Sequence, residues 1–184
     1  GIEEIYLVRG YLSEQFDQLL YKYPNIKFIE NPAYNEANNI SSAMCVRYLL
    51  NNAYVCEGDI LLHNPKIIQK YQYKSNYCGI KCDRTDDWCL FENKGRITGY
   101  AVGGENCHQM MGISYWTEED GRKLGDCIKK VYEMPGGKER YWDQVALGYY
   151  VEDFDIAIRE CSFDDFIEID TFNELKAIDK IYDV

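Results

Sequence analysis

Ala53-Tyr-Val-Cys-Glu-Gly-Asp59 is a short apolar run that closes on a carboxylate, next to a glycine that lets a ligand approach the backbone. A second run, Phe166-Ile-Glu-Ile-Asp170, closes the same way far along the chain. In an open α/β sheet, ligands sit in the crevice beyond the carboxyl ends of the strands, so two such ends bring together carboxylates from distant segments. Mg²⁺ is commonly held by one or two carboxylates plus substrate phosphate oxygens. Asp59 and Asp170 are therefore the candidate catalytic and metal-binding residues. Glu168, two residues back on the same strand, leans to the same face as Asp170 and can share the site. The competing readings are a solvated loop acid for Asp59 and a helix-start acid for Asp170. The pairing of two acidic strand ends favours metal-assisted chemistry on a nucleoside triphosphate.

Working outward, Ile5-Tyr-Leu-Val8 reads as a buried strand, followed by a helical pattern from Ser13 to Tyr23. Ile26-Lys-Phe-Ile29 is a second strand, a helix is predicted over 39–51, and the run ending at Asp59 follows. This β-α-β-α-β rhythm predicts parallel strands with crossover helices. Asn64-Pro65 predicts a short helix reaching about Tyr73. Beyond it come strand-like runs at 77–82, 88–92, 96–102 and 109–115, with Asn93-Lys-Gly95 as a hairpin signal, so antiparallel strands are added to the parallel half. Thr117 caps a helix rich in acids in its first turn and ending before Pro135-Gly-Gly137. A further helix over 141–150 leads to strands at 156–159 and 166–169, and Thr171-Phe-Asn-Glu174 is a capping box opening the last helix.

At 184 residues the chain fits one domain with a sizeable core. The formal charge of −11 argues against nucleic acid, which is bound by neutralising phosphates. Neither a membrane-length apolar stretch nor a signal peptide stands out, so a cytoplasmic protein without membrane insertion is expected. Five of the eight cysteines lie inside apolar runs, the pattern of reduced thiols, and the absence of a C-x2-C pair disfavours zinc.

Aromatic residues make up 15% of the chain, and all three tryptophans stand beside polar or acidic residues: Asp87-Trp88, Tyr115-Trp116 and Tyr141-Trp142-Asp143. Each pair alone is more often core, but the set suggests a cage for a quaternary ammonium group. Asn31, Tyr34, Asn35, Asn38, Asn39, Ser41 and Ser42 form a polar cluster larger than one helix cap requires, and are suited to reading a nucleobase edge.

Gly1-Ile-Glu-Glu-Ile-Tyr-Leu-Val-Arg-Gly-Tyr-Leu12, Tyr34-Asn-Glu-Ala-Asn-Asn-Ile-Ser-Ser42, Gly112-Ile-Ser-Tyr-Trp116, Tyr141-Trp-Asp143 and Glu168-Ile-Asp-Thr171 together resemble the bacterial CTP:phosphocholine cytidylyltransferases of the LicC type, within the sugar-phosphate nucleotidyltransferase family. The resemblance implies a Rossmann-like three-layer α/β fold with a mixed, mostly parallel sheet and an added antiparallel part. It divides the chain into a nucleotide-binding part (1–75), an acceptor-binding part (76–165) and a metal-ligand strand with the final helix (166–184). It implies CTP and phosphocholine as partners and Mg²⁺ on Asp59 and Asp170. Tyr34, Asn38, Asn39, Ser41 and Gly58 would contact the nucleotide, and Trp88, Tyr115, Trp116, Tyr141, Trp142 and Glu168 the acceptor. The family's first strand and glycine-rich phosphate loop have no counterpart in these residues, so an N-terminally truncated member is expected. Transfer to 2-aminoethylphosphonate or a sugar phosphate, or a truncated non-catalytic nucleotide-binding domain, are the rival expectations, and homo-oligomerisation is left open.

Overall fold

The computed structural model describes residues 2–182. Strand β1 (Ile5–Arg9) pairs in parallel with β2 (Ile26–Glu30), as the apolar runs predict. Their connection is a 3-10 turn at Ser13–Phe16 followed by the single α-turn α1 (Leu19–Lys22), shorter than the continuous helix expected. Helix α2 (Ile40–Val46) is also shorter than predicted, because the chain leaves the helix after Arg47 to enter β3 (Ala53–Cys56).

The four strand-like runs at 77–115 fuse into one long hairpin, β5 (Asn76–Asn93) and β6 (Arg96–Trp116). Lys94 and Gly95 turn it with φ of 52° and 78°, the two positive values that a two-residue hairpin turn needs. Bulges between Tyr77 and Gly79 and between Thr85 and Trp88 curl the hairpin so far that Cys89 and Leu90 bridge both to Tyr100–Ala101 and to His108–Gln109. β3 joins this hairpin antiparallel along β6, where the rhythm predicted a parallel neighbour, and β7 (Ala157–Glu160) joins β5 in parallel. The sheet order is β3-β6-β5-β7, so the sheet is mixed, and the length of the hairpin gives it a larger antiparallel share than the rhythm implies.

Helix α3 (Glu118–Glu133) starts where predicted, with Thr117 Oγ1 accepting from the Asp120 N–H at 3.2 Å. Gly125 and Gly121 let it lie close against the C-cap of α2 and the turn after it: an added Cβ at Gly125 would lie 2.3 Å from the Arg47 carbonyl oxygen, and one at Gly121 2.3 Å from that of Leu50. Residues 143–149 are helical, with a π-turn at Val145–Tyr149. The segment after Asn64 makes only the 3-10 turn Pro65–Ile67, so the longer helix expected there does not form. The main core lies between α2, α3, the π-turn and the sheet, around Ile40, Tyr77, Leu90, Trp116, Leu124, Ile128 and Val145.

Two short strands, β4 (Ile60–Leu62) and β8 (Phe166–Glu168), form a separate antiparallel pair over a second core of Ile67, Cys78, Ile80, Met111, Ile113 and Phe166. The capping box closes α4 (Phe172–Ile178), with Glu174 Oε2 accepting from the Thr171 N–H at 2.8 Å. All eight cysteines are free thiols. No described helix is long and apolar enough to cross a membrane.

Candidate active site

Glu57 leaves the end of β3 with its N–H donating to the Gly112 carbonyl oxygen at 2.9 Å, which prolongs the β3–β6 ladder by one residue. Its side chain lies back across Gly112, where an added Cβ would meet Glu57 Oε2 at 2.3 Å. Asp59 stands just before β4, and its carbonyl oxygen accepts from the Ile169 N–H at 2.9 Å. The β4–β8 register sets Ile60 opposite Glu168. The two acidic segments singled out in the sequence thus meet through an antiparallel pair of short strands. One carboxylate oxygen from each of Glu57, Asp59 and Glu168 lies within 4.8 Å of the other two. Asp170, two residues beyond Glu168, is exposed and outside that three-residue group, but its charge reaches Glu168.

The electrostatics of this cluster follow from burial without a counter-charge. Burial, then the charges of Asp143 and Asp59, push Glu57 up to about 7. Burial, then Asp170, Asp59, Asp87 and Glu57, push Glu168 up to about 7. None of Glu57, Asp59 and Glu168 is ion-paired to a described lysine, arginine or histidine. Three converging carboxylates without a cationic partner suit a hard, oxygen-seeking divalent ion. Behind Glu57, Asp143 is buried and accepts a hydrogen bond from the Tyr77 hydroxyl; burial raises it to about 6 despite that bond.

Three aromatic rings gather around the β5 bulge that carries Asp87 and Trp88. The bulge before Trp88 is fastened by the Asp87 N–H donating to Thr85 Oγ1 (3.1 Å) and the Trp88 N–H donating to Asp87 Oδ1 (2.7 Å). Trp88 stacks on Tyr100 with centroids 5.3 Å apart and planes at 20°, and meets Tyr141 edge-on at 5.4 Å. Asp87 is among the charges that raise Glu168, which ties the rings to the acid cluster. Tyr100 lies inside a strand-like run, and its one signal in the sequence is an aromatic residue three positions after Ile97 on the hairpin that carries Trp88.

The remaining expected acceptor residues sit elsewhere. Trp116 is fully buried, its Nε1–H donating to Ser114 Oγ at 2.9 Å and its ring packed edge-on against Trp142 and Phe154. Trp142 is 5% exposed and faces Tyr77, while Tyr115 packs against Tyr54 with its hydroxyl donating to Asn52.

Much of the polar cluster at the start of α2 is engaged within the protein. Asn39 Oδ1 accepts from the Trp142 N–H (2.9 Å), the Ser41 hydroxyl donates to the Asn38 carbonyl oxygen (2.8 Å), and Asn31 Nδ2 donates to both Ser41 and Ser42. Asn38 is tied to the Lys138–Glu139 loop through its backbone N–H and its side chain. These residues dock the aromatic segment 141–143 onto α2. Tyr34 is exposed and packs over Gly10, and Gly58 has open space where a Cβ would stand.

No protein-family model matches the sequence. The chain is 32% identical to a 2-aminoethylphosphonate cytidylyltransferase of Lancefieldella rimae, an alignment covering 99% of this chain and 75% of that protein. It is 27% identical to a choline-phosphate cytidylyltransferase of Haemophilus influenzae, over 95% and 75% of the two chains. Among solved structures, the CTP:phosphocholine cytidylyltransferase LicC of Streptococcus pneumoniae superposes with a TM-score of 0.86 at 26% identity, covering 98% of this chain and 79% of that one. Fold, acid cluster and sequence likeness converge, and the chain belongs to the cytidylyltransferase family of nucleotidyltransferases.

Proposed function

We propose that this protein transfers CMP from CTP to phosphocholine, giving CDP-choline and pyrophosphate. The observation that carries the reading is the gathering of Trp88, Tyr100 and Tyr141 at the bulge that carries Asp87, whose charge acts on Glu168 of the acid cluster. A trimethylammonium group has no N–H to donate and is held by aromatic faces and surrounding negative charge.

In the reaction, an oxygen of the acceptor phosphate forms a bond to the α-phosphorus of CTP. The bond from that phosphorus to the bridging oxygen breaks, and pyrophosphate leaves with the electron pair. The attacking phosphate is already ionised, so no general base is needed. Asp59, Glu168 and Glu57 would hold Mg²⁺, with Asp170 adjoining them. The ion supplies neutralisation of charge on the phosphate oxygens. The aromatic rings supply orientation, holding the acceptor so that its phosphate stays in line with the reacting phosphorus. The open space at Gly58 and the exposed ring of Tyr34 are offered as nucleotide contacts, while Asn38, Asn39 and Ser41 act by holding the loop that carries Tyr141.

A second reading, 2-aminoethylphosphonate as acceptor, is favoured by the relative named for that activity and by Asp87, whose Oδ2 is held by Gln109 Nε2 at 3.3 Å beside the rings. A primary ammonium donates to such a carboxylate. Calorimetric binding and CMP-transfer assays with both acceptors, in Mg²⁺, separate the readings. A preference for phosphocholine of about tenfold or more, equivalent to about 1.4 kcal/mol, is expected. Equal or reversed preference overturns the phosphocholine assignment, and failure to bind either removes both.

A further inference from the structure

We propose that Gln144 is a positioning residue that sets acceptor recognition, because its one carboxamide ties the backbone of Tyr141 to the hydroxyl of Tyr100, the two residues whose rings flank Trp88. Gln144 Oε1 accepts from the backbone N–H of Tyr141 at 3.0 Å, and Gln144 Nε2 donates to the Tyr100 hydroxyl oxygen at 2.9 Å. A backbone N–H only donates, so the amide is fixed in this orientation, with its nitrogen turned to Tyr100. The Gln144 N–H in turn donates to the Tyr141 carbonyl oxygen at 3.2 Å, closing a small ring of bonds around the turn. Gly148 completes the seat: an added Cβ there would meet Tyr100 Cε1 at 2.8 Å.

Tyr100 comes from β6 and Tyr141 from the loop before the π-turn, so backbone ladders do not set their spacing. The carboxamide does, and with it the arrangement of the three rings that a cationic group would meet. The inference rests on the acceptor site described above, and it holds for either acceptor.

Two substitutions and two readouts test it. In Gln144→Leu the volume remains but both bonds are lost. In Gln144→Glu the carboxylate still accepts from the Tyr141 N–H, and the Tyr100 hydroxyl can reverse to donate. The first readout needs no ligand. Trp116 and Trp142 are buried and Trp88 is half-buried, so acrylamide quenching of tryptophan fluorescence reports mainly on Trp88. Quenching is expected to rise about twofold in Gln144→Leu as Tyr100 moves off the indole face, and to stay near wild type in Gln144→Glu. Unchanged quenching in a folded Gln144→Leu protein, checked by thermal melting, overturns the positioning role. If Gln144→Leu does not fold, raised quenching in a folded Gln144→Glu also counts against it.

The second readout is calorimetric binding of phosphocholine, 2-aminoethylphosphonate and CTP. Gln144→Leu is expected to weaken whichever acceptor the wild type binds by about tenfold and CTP by less than about twofold. Equal weakening of acceptor and CTP, or none, overturns the inference. A wild type that binds neither acceptor sinks the proposed function instead, and the quenching result still decides the role of Gln144.

Discussion

The carboxylate of Glu57 lies over the bare α-carbon of Gly112, in the space a side chain would take, with an added Cβ only 2.3 Å from Glu57 Oε2. The obstructing atoms belong to a flexible side chain, not to backbone, so Gly112→Ala displaces the carboxylate without disturbing the β3–β6 ladder. The expected outcome is a melting temperature close to wild type together with Mn²⁺ affinity reduced about tenfold, since affinity follows the number of charged ligands. Mn²⁺ serves as the paramagnetic probe. Unchanged Mn²⁺ binding would detach Glu57 from the cation site.

The acids themselves should rank by their place in the cluster. Asp59→Asn and Glu168→Gln each remove one of three converging oxygens and are expected to weaken Mn²⁺ binding about tenfold or more. Asp170→Asn removes only a neighbouring charge, so its effect should be smaller, about threefold. A loss on Asp170→Asn that exceeds the loss on Glu168→Gln would reverse the ranking and make Asp170 a direct ligand.

Tryptophans 88 and 116 should separate recognition from stability. Trp116 fills the main core with 0% exposure, and Trp116→Ala is expected to cost about 3–5 kcal/mol by cavity formation. Trp88 stands against Tyr100 and Tyr141 at the site, and Trp88→Ala is expected to weaken phosphocholine binding about tenfold, with a cost in stability below about 2 kcal/mol. Urea melts and calorimetry on the same preparations give both numbers. Intact acceptor binding in Trp88→Ala would remove the aromatic reading.

The contrast between those two tryptophans shows what the sequence could carry. The meeting of the Asp59 and Glu168 segments was legible because acidic strand ends are a local signal whose meaning does not depend on register. Trp88 and Tyr141 were legible as aromatics beside acids, yet Trp116 has the same local appearance and is core. The difference arises from the curl of the β5–β6 hairpin: the bulge between Thr85 and Trp88 shifts the alternation, and a shift by one residue turns a side chain to the other face. Glu57 was in plain view two residues before Asp59, a spacing that sets both on one side of an extended segment. Asn39 and Ser41 read as base-contacting groups because nothing local reveals that the partner of Asn39 is the Trp142 N–H, 103 residues away. Parallel pairing was expected for β3 because helices precede it; its antiparallel place on β6 is a long-range choice.

Asp143 gives a pH signature that opposes the usual carboxylate trend. Its pKa rises from 3.8 to about 6 on folding because burial disfavours its charge, the Tyr77 hydrogen bond offsetting only part of that. The folded state therefore holds the proton more tightly than the unfolded chain. The resulting stabilisation is complete below about pH 3.8 and is lost as pH rises to about 6, amounting to roughly 2–3 kcal/mol. Asp143→Asn keeps a hydrogen-bonding partner for Tyr77 and removes the titration. Urea unfolding at several pH values between about 4 and 8, in chelator so that no cation screens Glu57, should show wild type losing stability relative to the variant as pH rises. The variant should be the more stable of the two at pH 8. Parallel pH curves for the two proteins would mean that the Asp143 carboxyl titrates alike in the folded and unfolded chains.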